Sequence, residues 1–186
     1  TGTSSADVDR PRFVVEANDA KIYGIVRITS FTSATSVQGE IVRPVYSEDA
    51  TRNWSEGAWS DYRGYPAAIT VHNQRLIFLG TASQPQTIFS SATGDFQNFR
   101  RGLNDSDGFQ FTLAADEASP IVWGQSVGAG IIVGTEGEEY LIVSSDGSTS
   151  LTPTNFQAKR QSQYGSANVE PLVIGARVQF VKSGGK

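Results

Sequence analysis

An all-β fold is predicted by three observations. Apolar and polar residues alternate with a period of two along several short runs, and turn-forming Gly, Ser, Thr and Asn separate those runs. One pattern also occurs twice at a fixed spacing: Pro66 and Pro120, Gly80-Thr81 and Gly134-Thr135, Ile88 and Ile142, and Ser90-Ser91 and Ser144-Ser145 are all 120 − 66 = 54 residues apart. The expected architecture is a small antiparallel β unit followed by four-stranded blades of the β-propeller type, with the propeller incomplete in this chain.

Residues 1–12 open with TGTSSADVDR, which is polar and without periodicity, and a flexible N-terminus is expected there. Residues 13–45 read as the small β unit. FVVEA leads to a turn at Asn18-Asp19, and Ile22, Gly24, Val26 and Ile28 then alternate with Tyr23, Ile25, Arg27 and Thr29. A turn at Thr32 to Ser36 precedes VQGEIVRPV, where Pro44 ends the unit because proline cannot donate to a ladder. Residues 46–65 form an aromatic hinge, WSEGAWSDYRGYP from Trp54 to Pro66. Large aromatics among Ser, Gly and Asp predict a packed loop, with Trp54 and Trp59 buried as a brace.

The first blade is expected over 66–118, the second over 119–168 and the start of a third over 169–186, from Pro171. Each copy begins with an apolar run (Ala67 to Val71; Ile121 to Trp123) and a turn (His72 to Gln74; Gly124 to Gly130). A second run (Leu76 to Leu79; Ile131 to Val133) closes on Gly-Thr, and a third strand ends in Ser-Ser. In the first copy a loop through Asp95 and Asp107 leads to a fourth strand, Phe109 to Leu113. A two-sheet sandwich is the structural alternative, but it predicts no repeated four-strand unit. Two blades cannot close a propeller, which needs at least about four. The chain is therefore expected to be the N-terminal piece of a longer polypeptide.

Composition excludes several functions. Cysteine is absent, so disulfides and thiol chemistry are ruled out, and the single histidine, His72, rules out a site with two His ligands in one chain. The net charge of −4 carries no basic stripe for gripping nucleic acid phosphates. Apolar runs such as Leu76 to Leu79 are too short to span a bilayer, and no signal peptide is apparent, so a soluble chain without a membrane anchor is expected.

Candidate chemistry is weak throughout. The loop Asn104-Asp105-Ser106-Asp107-Gly108 has a calcium-loop flavour but lacks the distal bidentate Glu, and reads as a turn. Ser144 to Thr149 (SSDGST) is similar to the Asp-box turn of sialidase propellers, with its glycine displaced and no closing aromatic. Glu136, Glu138 and Glu139 could supply two carboxylates but read as a solvated cluster. His72 has no serine or carboxylate placed beside it by any motif. No catalytic, cofactor-binding or metal-binding residue is assigned, and no enzyme is expected.

The hinge and first blade resemble the tail tubular protein B, or nozzle, family of short-tailed phages and related packaged-DNA stabilisation proteins. The likeness rests on Trp54, Gly57 to Ser60 with Trp59, Gly64-Tyr65-Pro66, Gln74-Arg75-Leu76, Gly80-Thr81, and Ser91 to Phe96 (SATGDF, including Gly94 and Asp95) followed by Asn98-Phe99. It continues at pattern level through Ile121 to Trp123, Glu138, Tyr140 and Leu151 to Asn155, and covers about residues 23 to 184. The resemblance implies a structural virion protein: a propeller assembled as a homo-oligomeric ring, hexameric in the family, below an adaptor ring of the portal side. DNA would pass through its channel without specific binding, helping to seal packaged DNA and conduct it at ejection. A family member continues past Lys186. Two other readings come from different classes: a carbohydrate-binding propeller using Trp59, Tyr62 and Tyr65, and a glycoside-processing enzyme with carboxylates on blade loops.

Overall fold

The computed structural model describes residues 12–16, 23–45, 49–50, 52, 54–57, 59–114, 118–148, 150–175 and 177–184. The expected flexible N-terminus up to residue 11 and the turn at Asn18-Asp19 lie outside them. Among the described residues every named element is a strand, and every ladder between strands is antiparallel. The chain divides into two compact units, Thr1–Tyr65 and Pro66–Lys186.

The first unit is one sheet of β1 (Arg12–Glu16), β2 (Tyr23–Ser33), β3 (Ser36–Arg43) and β4 (Trp54–Ser55), in the order β3-β2-β1-β4. The β2–β3 turn is tighter than expected, only Ala34-Thr35, because the Ser/Thr residues around it continue the strands. Strand β3 stops at Arg43, one residue before Pro44. Every residue of β3 is exposed, and Phe31, Val37, Ile41 and Val42 lie open.

The second unit holds two four-stranded meanders. The first contains β5 (Ala68–His72), β6 (Arg75–Leu79), β7 (Thr87–Ser90) and β8 (Phe109–Thr112), each beside the next. The second contains β9 (Ile121–Val127), β10 (Gly130–Thr135), β11 (Glu139–Ser144) and β12 (Phe156–Ser162), ordered in the same way. A hairpin of β13 (Leu172–Ile174) and β14 (Arg177–Gln179) follows. One expectation fails here. Gly124 to Gly130 is not a turn, since β9 runs on to Val127 and only Gly128-Ala129 turn. Gly124 serves close packing instead: a Cβ there would lie 2.0 Å from Leu79 Cδ1.

A single core lies between the two meanders. Ile77, Leu79, Ile88 and Phe109 of the first meet Ile131, Val133, Tyr140 and Ile142 of the second, all buried. Phe109 stacks on Phe156 with ring centroids 5.2 Å apart, and β5 lies alongside β9. First strand faces first strand and fourth faces fourth, with like ends together. Two sheets of the same handedness can stack this way only head to tail, one face of the first on the opposite face of the second.

The repeat explains how matched residues come to face one another. The hairpins close at His72–Arg75 and Val127–Gly130, offset by 127 − 72 = 55 rather than 54. A slip of one residue turns every side chain to the other face of its sheet. Ile77 and Ile131, matched at 54, therefore point toward each other across the core. The far face of the second meander receives the hairpin, where Phe180 packs against Trp123 at 5.7 Å.

Candidate interaction site

The residues singled out from sequence fall into two groups. Arg75, Gly80, Gly94, Asp95 and Phe99 lie in the second unit, with Pro66 as its first residue. Arg75 is 2% exposed at the start of β6 and holds the 91–108 excursion by its backbone. Its Nη1 donates to the carbonyls of Ser91 and Asp107, both at 2.7 Å, and its Nη2 donates to that of Asp105. Burial pushes the guanidinium pKa down, against the pull of Asp107 and Asp105. The acidic loop is thus a clamped turn, in which Asp107 Oδ2 also accepts from Asn104 N at 3.0 Å and Nδ2 at 2.8 Å. No group of three metal-ligating side chains occurs among the described residues.

Gly94 has a φ of +72° and donates its N–H to Gln74 O at 2.8 Å, a left-handed conformation that favours glycine. Asp95 is exposed beside it and closes a small turn, its N–H donating to Ala92 O. Phe99 stacks on Phe78 at 5.2 Å, and Gly80 passes close to Pro85 O. These residues shape a loop around the end of the first meander and form no reactive centre.

The hinge residues give a different picture. Ser60 is buried, and its carbonyl and Oγ accept from the N–H groups of Gly64 (2.7 Å) and Arg63 (3.1 Å). The Arg63 guanidinium pairs with Glu56 across the loop. Trp59 is half-buried, but Trp54 is 58% exposed, which overturns the expectation that both are buried. Trp54 stands on the two-residue strand β4, paired with Val15, in a sheet whose surface is largely open. Tyr62 (72% exposed) and Tyr65 are open as well.

The acidic cluster is not solvated as expected. Glu136 is exposed, but Glu138 and Glu139 are buried and hydrogen-bonded. Glu138 accepts from Tyr140 Oη and from Arg160 Nη1 at 2.9 Å. The Tyr140 hydrogen bond holds its carboxyl below the usual glutamate range, Arg160 and Gln163 add to this, and burial opposes it. Glu139 accepts from Ser162 Oγ and from Ser166 Oγ at 2.8 Å. The two carboxylates are thus held by separate partners, Glu138 by Tyr140 and Arg160 and Glu139 by Ser162 and Ser166. Asp146 in the SSDGST turn accepts from the Ser144 hydroxyl, from Ser148 N at 2.8 Å and from Asn155 Nδ2 at 3.1 Å. These bonds, the Ser144 hydroxyl foremost, hold its carboxyl well below the usual aspartate range.

Two features carry no sequence motif. His72 is buried, and its Nδ1 lies 2.8 Å from Ser126 Oγ. The separation, 126 − 72 = 54, was the available signal. The turns Thr81–Gln84 and Thr135–Glu138 are also matched at 54. In each, the threonine N–H donates to the carbonyl three residues on, and its Oγ1 accepts the N–H from there.

Part of the exposed surface is apolar. The outward face of the first meander carries Ile69, Val71, Leu76 and Phe78, with Ile69 58% and Val71 52% exposed. No helix among the described residues is long and apolar enough to cross a membrane. No protein-family model and no curated protein matches the chain.

Proposed function

We propose that the chain is a structural component of a phage tail, a nozzle-type building block of the conduit for DNA. On this reading the two meanders are β-propeller blades and the β13–β14 hairpin opens a third. The observation that carries it is the head-to-tail stacking of repeated four-stranded sheets. The exposed apolar residues of β2 and β3 add support, since surfaces of this kind mark contacts with other proteins. A ring of copies below an adaptor would cover them. The net charge of −4 suits a channel wall, because each phosphate contact adds affinity and would hold the DNA back. The polar clusters at Arg75, Glu138, Glu139 and Asp146 act as fasteners for turns on this reading.

Immunogold labelling of virions of the encoding phage, with antiserum raised against the chain, tests the proposal. Gold at the tail tip is expected. Unlabelled virions, from lysates in which the protein is abundant, would overturn it.

One observation favours a second reading. Trp54, Tyr62 and Tyr65 are all more than half exposed within a short segment, as aromatic platforms for sugar rings would be. A glycan array would decide: saturable sugar binding that is lost in Tyr62→Ala supports a carbohydrate-binding role.

A further inference from the structure

The repeat builds one polar corner twice, and the two copies fill it differently. The turns Thr81–Gln84 and Thr135–Glu138 each send the side chain of their last residue to the fourth strand of their own meander. In the second copy this makes a charged pair: Glu138 is buried and accepts from Arg160 Nη1 on β12 at 2.9 Å. In the first the pair is neutral, with Gln110 Nε2 on β8 donating to Gln84 Oε1 at 2.8 Å. Here the corner is open. A groove of about 410 Å³ lies beside β7 and β8, lined by Ser83 to Thr87 with Gln110 and Thr112.

The lining selects by chemistry. None of these residues carries a charge, so an anion or a cation would give up its water and meet no counter-charge. An apolar ligand would strip water from the two amides and return no hydrogen bond. What the groove offers is donors beside acceptors. The amide pair keeps one NH2 group and one carbonyl unspent, whichever of the two amides donates. The Thr87 and Thr112 hydroxyls lie 2.9 Å apart, so one donates to the other and one hydroxyl proton is left for a ligand. These mutual bonds also hold the four side chains in place before a ligand arrives, which lowers the cost of binding. Neighbouring hydroxyls on a sugar ring each donate and accept, the pattern that an NH2 group beside a carbonyl requires.

We propose that the groove binds a neutral saccharide, whose adjacent hydroxyls bridge the Gln84–Gln110 pair and meet the Thr112 hydroxyl. Its volume falls within the roughly 300–1,000 Å³ of small-molecule sites. The groove belongs to the second unit, whereas Trp54, Tyr62 and Tyr65 belong to the first. The site therefore depends neither on the tail reading nor on that aromatic platform.

An array of neutral and uronate-containing oligosaccharides, probed with the full chain, tests the site. Titration calorimetry with the neutral saccharide that gives the strongest signal then measures affinity in three variants. Binding is expected to weaken about tenfold or more in Gln110→Leu and in Thr112→Val, and to stay unchanged in Tyr62→Ala. Thr112 is exposed and valine keeps its shape, so Thr112→Val should hold the wild-type urea midpoint. An array on which no neutral saccharide binds would overturn the proposal, as would full affinity in both groove variants. Binding lost in Tyr62→Ala alone would overturn it too, and would leave the aromatic reading standing without the groove.

Discussion

Arg75 shows what a single residue type can and cannot reveal. Its place in QRL singled it out in the sequence, but its partners are backbone carbonyls, which no residue type announces. Removing a buried guanidinium that donates to three carbonyls takes the donor from Asp105 O and Asp107 O, while Ser91 O keeps only the Ser90 hydroxyl. Arg75→Ala should therefore destabilise the second unit by roughly 3 kcal/mol, read by urea denaturation. Lysine should restore only part of this, since its point charge lacks the planar fork. Trp54 makes the converse point. Its size suggested burial, but exposure is decided by what covers the sheet, and composition does not carry that.

At the scale of elements, the strands were legible where apolar residues alternate and obscure where packing overrides propensity. The second half of β9, Gly124 to Val127, looks like a turn because glycine, glutamine and serine favour turns. It is a strand because Leu79 needs the space a side chain at Gly124 would fill. The Thr135–Glu138 turn behaves similarly: three clustered glutamates suggested solvent, whereas Tyr140 and Arg160 draw Glu138 in. The lowered pKa of Glu138 makes a prediction with a definite sign. A carboxyl depressed on folding contributes its stability fully above its unfolded value, and loses it as the pH falls through the folded one. The stability difference between wild type and Glu138→Gln should therefore be constant near neutral pH and shrink below the ordinary glutamate value of 4.5. Urea unfolding across a pH series reads it, and a difference that persists unchanged into acid would show that Glu138 is not the group responsible.

For the whole molecule, the repeat was the most informative signal, although its meaning changed. Four anchors at one spacing suggested repeated four-stranded units. The one-residue slip at the hairpins sets matched residues such as Ile77 and Ile131 face to face across the shared core. The sequence could not display that slip, because the anchors lie in turns and strand ends while the slip lies between them. The tail reading depends on this head-to-tail stack. Nuclear Overhauser contacts in the unmodified protein test it most directly. Cross-peaks are expected between the Leu79 δ-methyls and the Gly124 α-protons, and between the rings of Phe109 and Phe156. Absence of both, in spectra that show the cross-strand contacts within each meander, would contradict it.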